Sequence, residues 1–361
     1  MVLNGGTGNI SGHSDTGVGV VLGGSTNING VTVNGTSNTG TGVIINGEAN
    51  VINASVNGNS NGTGVSITGA VNITGSTVTG NATGNGNGVN ISGNITDGVI
   101  SGSATGNGAG VGISGDSTLT NTTVSGNGTD GAGVSISGNL SNSGNSTVTG
   151  NASGNGNGVN ISGNITDGAI SGSATGNGAG VDISGDSTLI NTTVNGNGTD
   201  GSGVNISGNL TNSGNSTVTG NASGNGNGVN ISGNITDGVI SGHAVNGNGV
   251  EYTGPSTLTN ATVSGTSVHG YDVKEYLQDA IQQHARSTQA ALAELRAEGS
   301  QVTETSGYRP ETQTLTISVC DEENNCSRNT VLSSAEADVQ PPYSHTDVVA
   351  TPITSGSEKK R

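Results

Sequence analysis

Aliphatic residues along this chain come in pairs flanking one small or polar residue, and the pairs return at a near-constant interval. The phrase Gly88-Val89-Asn90-Ile91-Ser92-Gly93 recurs from Gly110, Gly133, Gly158, Gly180, Gly203 and Gly228, with looser versions from Gly42 and Gly64. Taking its valine as a marker gives Val20, Val43, Val65, Val89, Val111, Val134, Val159, Val181, Val204, Val229 and Val250, in steps of 21 to 25 residues. Alternation with period two places such pairs on one face of a strand. Within one interval the candidate core positions are Val89, Ile91, Ile95 and Ile100; the next holds Val111, Ile113, Leu119 and Val124, and the next Val134, Ile136, Leu140 and Val148. The interval is too short for two packed helices and suits a coil of three short strands joined by Gly, Asn, Ser and Thr turns. The pattern therefore predicts an all-β parallel β-helix of about eleven coils over residues 1–268, its aliphatics stacked inside.

A longer period lies over the short one. STVTGN begins at Ser76, Ser146 and Ser216, so blocks of 70 residues hold coils of 22, 23 and 25. The extra residues of the longest coil fall between Leu140 and Val148, in NSGNST, where an enlarged turn is expected. Between copies, Gly112 becomes Asp182, Ser135 becomes Asn205 and Ala132 becomes Ser202, while Val89, Ile91, Ile95 and Leu119 return as Val159, Ile161, Ile165 and Leu189. Change falls mainly where side chains are expected to face solvent.

Beyond residue 270 the pattern switches. Asp272 and Glu275 form a capping-box signature, and Val273, Leu277, Ile281, Leu292 and Leu295 follow at helical spacing until Gly299, which predicts an amphipathic helix over 271–299. It either closes the last coil or serves as a coiled-coil association helix. Residues 300–333 read as a β-hairpin, Thr312 to Val319 and Cys326 to Leu332, with Cys320 and Cys326 flanking its loop. The two cysteines are either a disulfide, which would imply an oxidising compartment, or buried free thiols. Pro341, Pro342, Pro352 and the basic end Lys359-Lys360-Arg361 predict a flexible tail over 334–361.

Composition sharpens this picture. With 68 glycines in 361 residues, 1% aromatics and a net charge of -17, the chain would read as disordered without its periodicity. All eight basic residues lie beyond position 273, so the rod has no basic stripe with which to displace counterions from phosphates, and nucleic-acid binding is excluded there. No apolar run approaches a membrane span, and MVLNGGTGNI has neither the charged nor the apolar part of an export signal. Because coil positions begin at once, with Val20 and Leu22, the expectation is a fragment of a longer chain rather than a truncated gene product.

Candidate chemistry is sparse. A glycosidase requires two carboxylates ~5 to 9 Å apart. Asp97 recurs only at Asp167 and Asp237, three coils on, which is ~14 Å at strand spacing. Asp182 and Asp186 share a coil without a recurring partner, and a lyase would need a cation that the rod lacks. His13, His243, His269, His284 and His345 are scattered, with no metal-ligand spacing to cysteine, and the calcium nonapeptide is absent. The expectation is no catalytic residue, cofactor or metal. Asn-x-Ser/Thr triplets such as Asn90-Ile91-Ser92 permit glycosylation, and the absence of aromatics before Tyr252 leaves no stacking platform for sugars, so any receptor contact is expected to be polar and spread over coils or sited at the C-terminal end. An ice-binding solenoid would need Thr-x-Thr on every coil, and only Thr77 to Thr79 and its copies provide it.

The run GVNISGNLTNSGNSTVTGN, with its glycine-bounded aliphatic pairs and Asn/Thr turns, resembles the repeat rods of filamentous-haemagglutinin-like adhesins of Gram-negative bacteria, which leave the cell by two-partner secretion. The likeness covers residues 1–268. It implies a secreted or surface-displayed β-helical stalk, associated with the outer membrane, that attaches to a receptor on host cells or other bacteria. In some members a C-terminal cysteine pair closes a small loop that holds the protein at its outer-membrane transporter, and Cys320 and Cys326 are similar, though followed here by a further 35 residues. The alternative is a polysaccharide-degrading β-helix of tailspike or lyase type.

Overall fold

The computed structural model describes residues 2–3, 8–254 and 256–274, and the backbone of 302–309, 314–321 and 326–333. Residues up to Lys274 wind into a parallel β-solenoid of twelve coils, one more than the marker valines count. Three all-parallel sheets of twelve strands run its length, each strand pairing with those three before and three after it in the chain. The first sheet runs from Val2–Leu3 to Leu258–Thr259, the second from Asn9–Ser14 to Thr262–Ser267, and the third from Val18–Leu22 to Val273–Lys274.

Each coil repeats one logic. A short strand of the first sheet, such as Ser117–Thr120, ends in a corner, a six-residue strand of the second sheet follows, and a Gly/Asn turn leads into the third. The corner turns the chain through a residue in the left-handed region, joined at Asp167 and Asp237 by the next glycine, Gly168 and Gly238, with φ of 87° and 82°. Gly30, Asn53, Gly75, Asp97, Asn121, Gly144, Asp167, Asn191, Gly214, Asp237 and Asn260 form one column there, with φ between 46° and 66°. These residue types share that column because Gly, Asn and Asp tolerate the left-handed region at least cost.

The core is a set of aliphatic columns. Val89, Ile91, Ile95, Ile100, Val111, Ile113, Leu119, Val124, Val134, Ile136, Leu140 and Val148 are all 1% exposed or less. Register makes the columns continuous: Val89 pairs with Val65 and Val111, and Ile100 with Val78 and Val124. In the second sheet the inward column beside the aliphatics is glycine throughout, from Gly12 to Gly265. There the second and third sheets converge. A Cβ on Gly102 would stand 1.9 Å from the carbonyl oxygen of Gly110, so only a hydrogen fits.

Two expectations are corrected. The 25-residue coil does not place all its extra residues in a turn. Leu140 pairs with Ser117, two positions back along the strand, and one extra residue, Asn145, follows the corner at Gly144. Asn142 is thereby set opposite Leu119, inside the aliphatic column, 1% exposed. The rod also runs past 268. Val273 pairs with Val250 and is buried, and Lys274 pairs with Glu251, so both belong to a twelfth coil rather than to the start of a helix. Asp272 accepts the Ser267 amide at 2.8 Å within that coil. There is no helix among the described residues; Leu277, Ile281, Leu292 and Leu295 of the expected cap, and the tail over 334–361, lie outside them. In 300–333 the described backbone consists of three antiparallel strands, Val302–Arg309, Thr314–Asp321 and Cys326–Ser333, the first of which the sequence pattern does not announce.

Candidate functional site

The surface of the solenoid divides into corners, turns and three sheet faces, and most of its acids sit on the first two, Asp182 and Glu251 lying on the third sheet. Asp97, Asp167 and Asp237 are corner residues with φ of 50°, 56° and 57°, each three coils from the next. Asp97 accepts a hydrogen bond from Asn121 of the following coil at 3.1 Å. Asp116, Asp182 and Asp186 likewise accept from Asn139, Asn205 and Asn209, one coil on, at 2.9, 2.6 and 2.8 Å. Each of these four carboxylates is thus engaged by an amide of the next coil, in the lateral ladder that also links Asn to Asn. No group of three or more His, Cys, Asp or Glu side chains able to hold a metal occurs among the described residues. His13 meets Thr36 at 2.9 Å and Asp15 at 3.3 Å, His243 meets Thr266 at 2.7 Å and His269 the Val245 carbonyl at 3.3 Å. His284 and His345 lie outside the described residues.

One charged cluster closes the rod. Glu251, on the outward face of the third sheet, accepts from Lys274 at 2.9 Å, from Asn248 at 3.0 Å and from Asn227 at 2.5 Å. Burial alone would raise its pKa, but the hydrogen bond and charge of Lys274, with the two amides, outweigh burial and hold it below the ordinary glutamate value. Glu251 occupies the place that Asp182 and Gly112 take in the two preceding blocks. At Gly112 the missing side chain leaves a shallow recess beside Asn87, Asn90, Ser135 and Asn160.

The second sheet presents a different surface, which the sequence reading passed over. Its strands are six residues long and in unbroken register, and their outward side chains form three columns. The twelve acids between residues 8 and 274 are all elsewhere, and none of the outward positions from Asn9 to Thr266 carries Asp, Glu, Lys or Arg. The signal was available in STVTGN, where every second residue is polar and uncharged.

No helix among the described residues is long and apolar enough to cross a membrane. No protein-family model, curated protein or solved structure matches the chain.

Proposed function

We propose that this chain is a non-catalytic stalk segment of a bacterial surface or secreted adhesin that mediates attachment to host cells or other bacteria. One observation carries the reading: twelve coils stack without interruption into a rod of roughly 50 Å, at ~4.8 Å per strand. A rod of this kind spreads its polar groups along its length, which suits a spacer with distributed contacts. The engagement of Asp97, Asp116, Asp182 and Asp186 by asparagine amides favours a structural use of these acids over a catalytic one.

On this reading the C-terminal strands anchor the stalk at an outer-membrane two-partner-secretion transporter. The backbone places Cys320 directly opposite Cys326 in an antiparallel pair. Direct partners of this kind have Cα atoms ~4.5–5.5 Å apart, within the span of a disulfide. Intact producing cells treated with protease, with and without a mild reductant, test both parts. Cleavage of the segment on intact cells, and its release by reductant, are the expected results; a segment protected until the cells are broken open would refute surface display.

A further inference from the structure

The geometry points to the outward face of the second sheet as a docking plane for a linear, uncharged glycan lying along the rod. This deepens the adhesin reading by naming the chemistry of its receptor. Charge selects the partner first. In a chain of net charge -17, with twelve acids before residue 275, this face runs the length of the rod on six-residue strands without Asp, Glu, Lys or Arg. The third sheet carries Asp182, Glu251 and Lys274, and the shorter uncharged strands of the first sheet are bordered by Glu48, Asp97, Asp116, Asp167, Asp186 and Asp237. An anionic polymer would be repelled by the surrounding carboxylates, and a cationic one would be drawn to the turns and corners where they sit. An uncharged polymer meets neither effect on this face.

Hydrogen-bonding capacity selects it second. The outermost column holds amides already joined in a ladder, Asn81 to Asn59 at 2.8 Å, Asn151 to Asn127 at 3.2 Å and Asn221 to Asn197 at 3.1 Å. The middle column starts with such a ladder, Asn57 to Asn34 at 3.0 Å, and differs from Thr79 on. The hydroxyls of Thr79, Ser101, Thr149, Ser171, Thr219 and Ser241 have no hydrogen-bond partner among the described residues. Each can both donate and accept, which is what a row of sugar hydroxyls requires.

Periodicity selects it third. In the column nearest the corner, Thr77, Val99 and Thr123 are followed by Thr147, Ala169 and Thr193 and then by Thr217, Val239 and Thr262. Val99 and Val239 are 47% and 44% exposed. An apolar patch thus recurs every three coils, or ~14 Å, at one phase of an otherwise hydroxylated lattice. An extended pyranose chain advances by nearly one strand spacing per sugar, so every third ring would set its C–H face over an aliphatic side chain while its neighbours bond the hydroxyls. Each such contact is weak, and three in register act together through effective concentration.

The test uses the full chain and four immobilised linear uncharged glycans, β-1,4-glucan, β-1,4-mannan, β-1,3-glucan and α-1,4-glucan, with alginate as an anionic counterpart. The expected result is retention by at least one uncharged glycan, little changed by added salt, and no retention by alginate. Competing oligosaccharides of about three, six and nine sugars should inhibit with steeply rising potency. Ser101→Asp, Ser171→Asp and Ser241→Asp together should reduce retention roughly tenfold or more, whereas Asn27→Asp, Thr118→Asp and Thr211→Asp, on the first sheet, should leave it unchanged. If the first triple variant fails to fold, Ser101→Ala, Ser171→Ala and Ser241→Ala remove the hydroxyls without adding charge. Retention by none of the four, equal loss from both faces, or burial of the face by self-association of the chain would overturn the inference. Because the assay uses purified protein, it decides the face separately from surface display, which the protease experiment decides.

Discussion

At the scale of single residues, the corner column and the core columns obey opposite rules, and substitutions should separate them. At Asp97, with φ of 50°, glycine carries no steric penalty and a β-branched residue carries the full left-handed cost. Asp97→Gly is expected to stay within about 0.5 kcal/mol of wild type, and Asp97→Val to lose about 1–2 kcal/mol, by denaturant unfolding. In the core, Asn142 is the anomaly. Its Nδ2 donates to the Asp167 carbonyl at 3.1 Å, but its Oδ1 is buried without a partner, opposite Leu119. A buried orphan of this kind costs about 1–3 kcal/mol. Asn142→Leu removes the orphan and completes the aliphatic column but also takes the amide from the Asp167 carbonyl, because the single proton of Thr192 Oγ1 goes to the Ile190 carbonyl at 2.9 Å, so the expected net gain is at most about 1 kcal/mol. A loss of stability would mean that the amide is worth more than its orphaned oxygen costs. Glu251 supplies a pH-dependent term. Its folded pKa is depressed, so its contribution is fully present above the unfolded value of about 4.3 and is lost as pH falls through the lower folded value. Glu251→Gln should flatten the acid limb of the stability curve over that window and leave the slope near neutrality unchanged.

At the scale of elements, what the sequence reveals depends on whether a position repeats every coil or only every third. The aliphatic pairs repeat every coil, so Val89 with Ile91 and Val111 with Ile113 are legible as inward strand positions from spacing alone. The register shift at Leu140 was not, because alternation reports which face a residue takes but not which partner it meets across the sheet. Asn142 accordingly looked like a turn residue. The twelfth coil was hidden for another reason: Tyr271-Asp272-Val273-Lys274-Glu275 satisfies a capping box locally, and only the pairing of Val273 with Val250 shows that tertiary stacking prevails. The docking face was invisible to a search for charged or aromatic clusters, since its signature is the absence of both over twelve strands. The glycine column of the second sheet marks where backbones come closest. Gly102→Ala would drive a methyl against the Gly110 carbonyl, and the expected loss of about 3 kcal/mol or more, with local opening visible by hydrogen exchange, exceeds ordinary overpacking because backbone rather than a side chain must yield. An alanine tolerated there would show that the second and third sheets can part without cost.

At the scale of the molecule, the three-coil block is the true repeating unit, because it alone restores register, corner chemistry and surface pattern together. One coil is not interchangeable with the next: Leu140 sits two positions back from Leu119 along the strand, and the exposed Val99 has threonine on either side. Three coils on, each feature returns, with Leu210 set opposite Ser187 as Leu140 is opposite Ser117, and Ala169 in the place of Val99. In a solenoid, stability is close to a sum of coil terms and nearest-neighbour interfaces, so removing a whole period should create no new interface. Deletion of residues 147–216 joins Ser146 to Thr217 and brings together coils whose neighbours already have the same side chains, as the identity of STVTGN at Ser76, Ser146 and Ser216 requires. The shortened chain is expected to fold into a rod shorter by ~14 Å in small-angle scattering, at the strand spacing of three coils, and to unfold cooperatively. Deletion of 147–181, half a period, removes one and a half coils and would place a strand of one sheet over that of another; it should not fold. If both shortened chains folded equally well, the 70-residue period would be an accident of duplication rather than the structural unit, and the three-coil spacing of the exposed aliphatics would lose its meaning as a ligand-matching repeat.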